Sequence, residues 1–212
     1  MSHLRIPVSD QDHSIGPVDA PVTLVEYGDY QCPYCGEAFP VVKQILERYD
    51  GEIRFVFRNF PIQEIHPEAV DAAFVAEFAA DHGDFWRAHD LLYENQSELG
   101  PQLYQQICDT LGLGVADLQK AAKENTYSAR IRADEEGGIR SGVNGTPTFF
   151  LNGAIVEAGT GGLADAVRSA LADPDAKPAV IGESQLAAFN IEEQKLVRLA
   201  PHHREYLQRY QR

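Results

Sequence analysis

Cys32-Pro33-Tyr34-Cys35 places two thiols three positions apart. A cysteine attacks only as thiolate, so its pKa decides its chemistry. A helix N-terminus, with its unpaired amide N–H groups and positive dipole end, stabilises a thiolate. The stretch before the pair, Val22-Thr-Leu-Val-Glu-Tyr27, is apolar and β-prone, as a buried strand would be. After it, Val41, Val42, Ile45, Leu46 and Tyr49 recur at helical intervals. Strand, two thiols, helix is the setting of a redox pair. Cys32, nearest the helix start, is then the attacking thiol, and Cys35, one turn further in, resolves a mixed disulfide. The competing reading is a structural or metal-binding pair. A zinc site takes about four ligands. The motif supplies two, no second CxxC or CxxH exists, and His202-His203 lie in a separate tail, so no metal is assigned.

The chain around this motif has 212 residues, enough for one well-buried domain. Hydrophobic residues make up 44% and charged residues 24%, a globular composition. With 18 basic and 32 acidic side chains the formal net charge is −14, which repels phosphate and argues against nucleic acid as a partner. No apolar run approaches the roughly 20 residues of a membrane span. The first ten residues carry no apolar h-region with a cleavage site, which predicts a cytoplasmic protein, or a periplasmic one if the chain is a trimmed mature form. Three cysteines are too few for a disulfide framework. Cys108, alone in the helical pattern Leu103–Leu111, reads as a small buried hydrophobe.

The elements that must position the pair follow in order. Residues 1–20 read as an extended arm, then strand 22–28, the CxxC helix over 33–49 with Pro40 inside it, and strand 53–58. Helical patterns cover 67–82, 84–96, 101–112, 115–124 and 126–141. Strand signals return at Thr146–Leu151, with a turn at Asn152-Gly153, a partner at Ala154–Ala158 and a last core helix over Leu163–Leu171. Asp173–Pro178 reads as a linker, and Gln185–Leu199 as helix-like, packing back on the domain or onto a second copy of the chain as a homodimer. The sum is an α/β thioredoxin fold with an inserted helical domain between its βαβ and ββα halves. Residues 1–62 and 143–172 form the thioredoxin-like domain, 63–142 the insert, and 173–212 a C-terminal extension.

Four stretches resemble the DsbA-like thiol–disulfide oxidoreductases: Ala20–Gly36, Arg54–Pro61, Asp84–Gln96 and Ser141–Gly153, in the family's order. CxxC alone is weak, but CxxC followed by Gly145-Thr-Pro-Thr-Phe149 is specific. The resemblance implies exchange of disulfides with cysteine-containing protein substrates, without a cofactor, supplied by a redox partner. It implies that Pro33 and Tyr34 tune the thiolate. The strongly oxidising members carry Pro-His there, so Pro-Tyr implies a milder oxidant. Pro147 matches the family's cis-proline, with the Thr146 backbone pairing with an extended substrate.

Glu26, inside the apolar strand, should be buried with a raised pKa; the resemblance implies that it accepts the proton of Cys35. Arg54 and Arg58 on the next strand could offset its charge, and Asp29 and Tyr30 could shape the rim of the site. Trp86 reads as core packing, and His66 and His89 as surface or satisfied core histidines. His82 stands at a helix end, where a cation suits the dipole. The direction of electron flow stays open. Two other functions stay open as well: a peptide-binding module that uses the groove and not the thiols, and a glutathione-dependent enzyme of the same fold.

Overall fold

The computed structural model describes residues 3–172, together with the backbone of Ala188–Asn190 and Lys195–Val197. The arm contributes β1 (His13–Ile15). It is followed by β2 (Val22–Gly28), α1 (Pro33–Arg48) and β3 (Ile53–Asn59). Five helices then run without a strand between them: α2 (Ala69–Ala80), α3 (Phe85–Glu94), α4 (Pro101–Leu111), α5 (Val115–Lys123) and α6 (Ser128–Ser141). β4 (Thr148–Leu151), β5 (Ala154–Ile155) and α7 (Gly159–Ala172) complete the sheet and its cover. The sheet order is β1-β3-β2-β4-β5, with β2 and β3 parallel and every other pairing antiparallel. This is the mixed α/β thioredoxin architecture expected from the element order.

Alternation along the strands gives the sheet two buried faces. Val22, Leu24, Phe55, Phe57, Phe149 and Leu151 join the core cluster that includes residues of α1, α2, α3 and α7. Val25, Tyr27, Val56 and Phe150 form a second cluster with Phe60 and Val143. Each such buried side chain contributes roughly 1.5–3 kcal/mol. Gly138 of α6 allows close approach on the second face, because a Cβ there would lie 2.8 Å from the Phe60 ring and 3.0 Å from that of Tyr27.

The parallel register decides which strand residues can meet. Glu26 is level with Phe57 on β3 and with Phe149 on β4. Arg54 and Arg58 therefore belong to the opposite face, and the expectation that they offset Glu26 is wrong. Arg58 is buried on the Tyr27 side. Its guanidinium donates to Asp12 at 2.7 and 3.0 Å, to the Tyr27 hydroxyl at 2.9 Å and to the Ile6 and Pro7 carbonyls at 3.0 and 3.1 Å. Arg54 reaches the Ser9 carbonyl at 3.3 Å and Ser14 Oγ at 3.5 Å. Both arginines anchor the N-terminal arm.

Several bounds differ from the sequence reading. β1 lies in the arm and pairs with β3, a three-residue strand too short to show a period. β4 begins at Thr148 and not at 146, since Pro147 has no N–H for the ladder. β5 is two residues long, and α7 starts four residues earlier than Leu163. The helix-like reading of Gln185–Leu199 is overturned at its described residues. Ala188–Asn190 and Lys195–Val197 are strands paired antiparallel, and polar–apolar alternation is a period of two. The rest of the extension and its packing lie outside the described residues.

Cys108 is buried in α4 beside Ile107 and Leu111, and burial raises its thiol pKa, with Asp109 adding to the effect. Cys108→Ala should cost about 1 kcal/mol in a denaturant melt and leave thiol chemistry at the CxxC unchanged.

Candidate active site

The loop Asp29–Gln31 connects the end of β2 to the first turn of α1. Cys32 is the N-cap of α1 in extended conformation, and Pro33 takes the first helical position, where its missing N–H is no loss. The Cys32 carbonyl accepts the Cys35 and Gly36 N–H groups at 3.0 and 3.1 Å. Pro33 and Tyr34 are exposed, while Cys35 is fully buried and Cys32 nearly so. All three cysteines are free thiols. The turn is held from outside by Gln96, whose side-chain amide donates to the Tyr30 carbonyl at 2.8 Å and the Cys32 carbonyl at 2.9 Å. Gly36 leaves room for this amide, since a Cβ there would lie 2.3 Å from Gln96 Oε1.

Across from the helix start, the Thr146–Pro147 peptide bond is cis, and the Thr146 carbonyl accepts the Cys32 thiol at 3.3 Å. The buried Thr146 hydroxyl has no hydrogen-bond partner among the described residues, so it is available to donate to a thiolate at Cys32.

The two thiols have opposite electrostatics. Donation from the Cys35 thiol, opposed by burial and aided by Thr146, the Cys35 amide and the charge of His66, lowers the Cys32 pKa to about 6. Burial pushes Cys35 well above the usual thiol range, and the Cys32 and Glu26 charges push it further. The Asp29 N–H points at Cys35 Sγ from 3.5 Å. Glu26, 3% exposed, is pushed up to about 8 by burial, with the Cys32 charge adding to it. Glu26 is among the residues that line a cleft of about 460 Å³, with Phe39, Lys43, His89, Asp90 and Tyr93. Lys43 on α1 and Asp90 on α3 form an ion pair of 2.6 Å at that cleft.

Not every flanking residue sits where the sequence reading put it. Asp29 and Tyr30 are buried beneath the site and do not form its rim. The Tyr30 hydroxyl pairs with His89 Nδ1 at 3.1 Å. The Asp29 carboxylate accepts the Gln31 and Ile62 N–H groups, each at 2.8 Å, and binds His66 Nδ1 at 2.7 Å. His66 is thus neither a surface nor a core histidine but part of the thiol loop's support. The cue is thin: a histidine before Pro67, a few residues past the end of β3. Gln96 gives no sequence cue at all. His89 is a buried core histidine, kept neutral by burial and by the Lys43 and His13 charges with a pKa of about 3. Trp86 packs on Phe55 and Phe85 and donates to the Ser14 carbonyl at 3.2 Å. His82 bonds the Phe78 carbonyl at 2.9 Å, beyond the end of α2. Among the described residues no cluster of ligating side chains could hold a metal ion.

A family model described as thioredoxin matches residues 8–167. A protein named Na(+)/H(+) antiporter NhaA 1, from Salinispora arenicola, is 44% identical over 151 residues, 71% of this chain but 23% of that protein. The chain thus spans about a quarter of the length of the curated relatives it matches. Among solved structures, oxidised BdbD from Bacillus subtilis superposes with a TM-score of 0.69 at 22% identity, covering 81% of this chain and 98% of that one. A thioredoxin-like oxidoreductase from Silicibacter pomeroyi gives a TM-score of 0.64 at 27% identity, covering 77% and 94%.

Proposed function

Because this chain belongs to the thioredoxin family, we propose that it is a DsbA-like thiol–disulfide oxidoreductase exchanging disulfides with cysteine-containing proteins. The observation that carries this reading is the asymmetry of the pair. Cys32, at the start of α1, has a lowered pKa, and Cys35, buried one turn deeper, a raised one.

In the reducing direction the Cys32 thiolate attacks a substrate disulfide. A mixed disulfide forms and one substrate thiolate leaves. Glu26 takes the proton of Cys35, whose thiolate attacks Cys32 Sγ. The Cys32–Cys35 disulfide forms, and the second substrate thiolate leaves with two electrons transferred in all. The oxidising direction is the same sequence reversed. The closeness of Thr146 to Cys32 and the exposure of Tyr34 support a reading in which the Thr146 backbone pairs with an extended substrate and Tyr34 gives it an apolar contact.

Net direction depends on potential and compartment. Thiolate stabilisation favours the dithiol and makes the disulfide a stronger oxidant. Attacking thiols with pKa near 7 and near 3.5 accompany potentials of about −270 and −120 mV. With Cys32 at about 6, the pair should fall between these limits, nearer the first. It would donate electrons in a strongly reducing compartment and accept them in an oxidising one. Equilibration with glutathione buffers, read by alkylation and mass, measures this. A pair that forms no disulfide at any glutathione ratio would overturn the function. Sodium–proton antiport, named for the longer relatives, is not carried over. The match is confined to 23% of such a protein, and among the described residues no helix is long and apolar enough to cross a membrane.

A further inference from the structure

The segment after β3 is fastened to the loop that carries Cys32. Ile62 N–H and His66 Nδ1 both bind the Asp29 carboxylate, at 2.8 and 2.7 Å. Glu68 N–H binds Gln31 Oε1 at 2.7 Å. The His66 N–H returns to the Ile62 carbonyl at 2.9 Å, closing a turn. The same Asp29 accepts the Cys32 N–H on its carbonyl at 3.1 Å and donates its own N–H to Cys35 Sγ. Asp29 thus links one histidine to the backbone of Cys32 and to the thiol of Cys35. Its side chain is fully buried and that of His66 is 13% exposed, so the pair is shielded from bulk screening.

We propose that His66 is a positioning residue for the thiol pair: its imidazolium, fixed by Asp29, stabilises the Cys32 thiolate and shifts the dithiol–disulfide equilibrium toward the dithiol. The dipeptide between the cysteines carries no histidine. Here the charge of a histidine on another element acts on Cys32, so Pro-Tyr alone does not define the redox setting. Burial opposes charge on His66, but the bond to Asp29, the Asp29 charge and the Cys32 charge prevail and raise its pKa. The other groups acting on Cys32 are Cys35 and Thr146, both of which lower its pKa, and Cys32 in turn acts on Glu26. The consequence for exchange rests on the function proposed above. The effect on the Cys32 thiolate does not.

Two measurements test the proposal. Iodoacetamide alkylation of Cys32 against pH should shift its midpoint up by about one unit in His66→Gln, and the glutathione equilibrium should move about tenfold toward disulfide, which is about 30 mV. His66→Lys, which restores the charge, should recover most of both. If His66→Gln changes neither by more than about twofold, or if His66→Lys behaves like His66→Gln, the proposal fails, since shape and not charge is then at work. The second measurement needs no variant. Coupling between sites is reciprocal, so the His66 ring, followed by NMR, should titrate about one unit higher in the dithiol protein than in the disulfide protein. Equal midpoints would overturn the proposal. A wild-type protein that exchanged with no protein disulfide would sink the function and leave both titrations intact.

Discussion

Cys35→Ser should accumulate as a mixed disulfide through Cys32, and Cys32→Ser should exchange nothing. With Cys32 replaced, the site loses the thiolate at the start of α1, and Cys35 cannot take over, being fully buried with its pKa raised. Exchange with a small disulfide-containing peptide should fall by more than about a thousandfold, to the rate set by the buffer. With Cys35 replaced, attack still proceeds, because the serine hydroxyl can donate in place of the Cys35 thiol and the Thr146 side chain and the charge of His66 act on Cys32 from outside α1. Only resolution is lost. Serine suits the test because its oxygen keeps an acceptor for the Asp29 N–H that now points at Cys35 Sγ, and a neutral hydroxyl does not attack a disulfide. Non-reducing gels and intact mass read the trapped species. A peptide-binding module would behave differently, with Cys32→Ser functional and Cys35→Ser trapping nothing; that pair of results would end the enzyme reading.

Much of the frame behind this chemistry is legible in the chain. β2, β3 and α1 to α6 carry apolar patterns long enough to show a period, and their observed bounds fall within about two residues of those read from the pattern. β1 and β5 are three and two residues long and have no period to read. Arg54 and Arg58 show a different limit. Alternation puts them on one face of β3, but which face Glu26 shares depends on a parallel register that level-pairs it with Phe57. The supports of the thiol loop are the hardest part. His66 reaches Asp29 across 37 residues and Gln96 reaches Tyr30 across 66, and no local pattern marks either contact. The thiols themselves are readable because their spacing and their position at a strand-to-helix turn are local.

Glu26→Gln should make the protein more stable and a slower enzyme at once. Glutamine has the shape of the protonated carboxyl but cannot ionise. In the folded wild type burial raises the Glu26 pKa from 4.5 to about 8, with the Cys32 charge as the lesser cause. As pH rises past 4.5 the unfolded chain releases this proton while the folded chain holds it. Folding stability then falls by about 1.4 kcal/mol per unit until the folded group ionises near 8. Below that window both states are protonated, and above it both are ionised, so the difference stops growing. At pH 7 the variant should be more stable by roughly 3 kcal/mol, with no gain below pH 4 or so. A denaturant melt of the disulfide form isolates the burial effect, since Cys32 carries no charge there. Resolution should slow about a hundredfold at pH 7, as removal of a positioned proton acceptor does. The wild-type rate should climb through the Glu26 ionisation, and the variant should lose that limb and follow only the high pKa of Cys35. Quenched-flow decay of a preformed mixed disulfide at Cys32 gives both profiles. Loss of rate with loss of stability would mark Glu26 as a structural residue. Gain of stability with an unchanged pH profile would mark it as a buried acid outside the proton path.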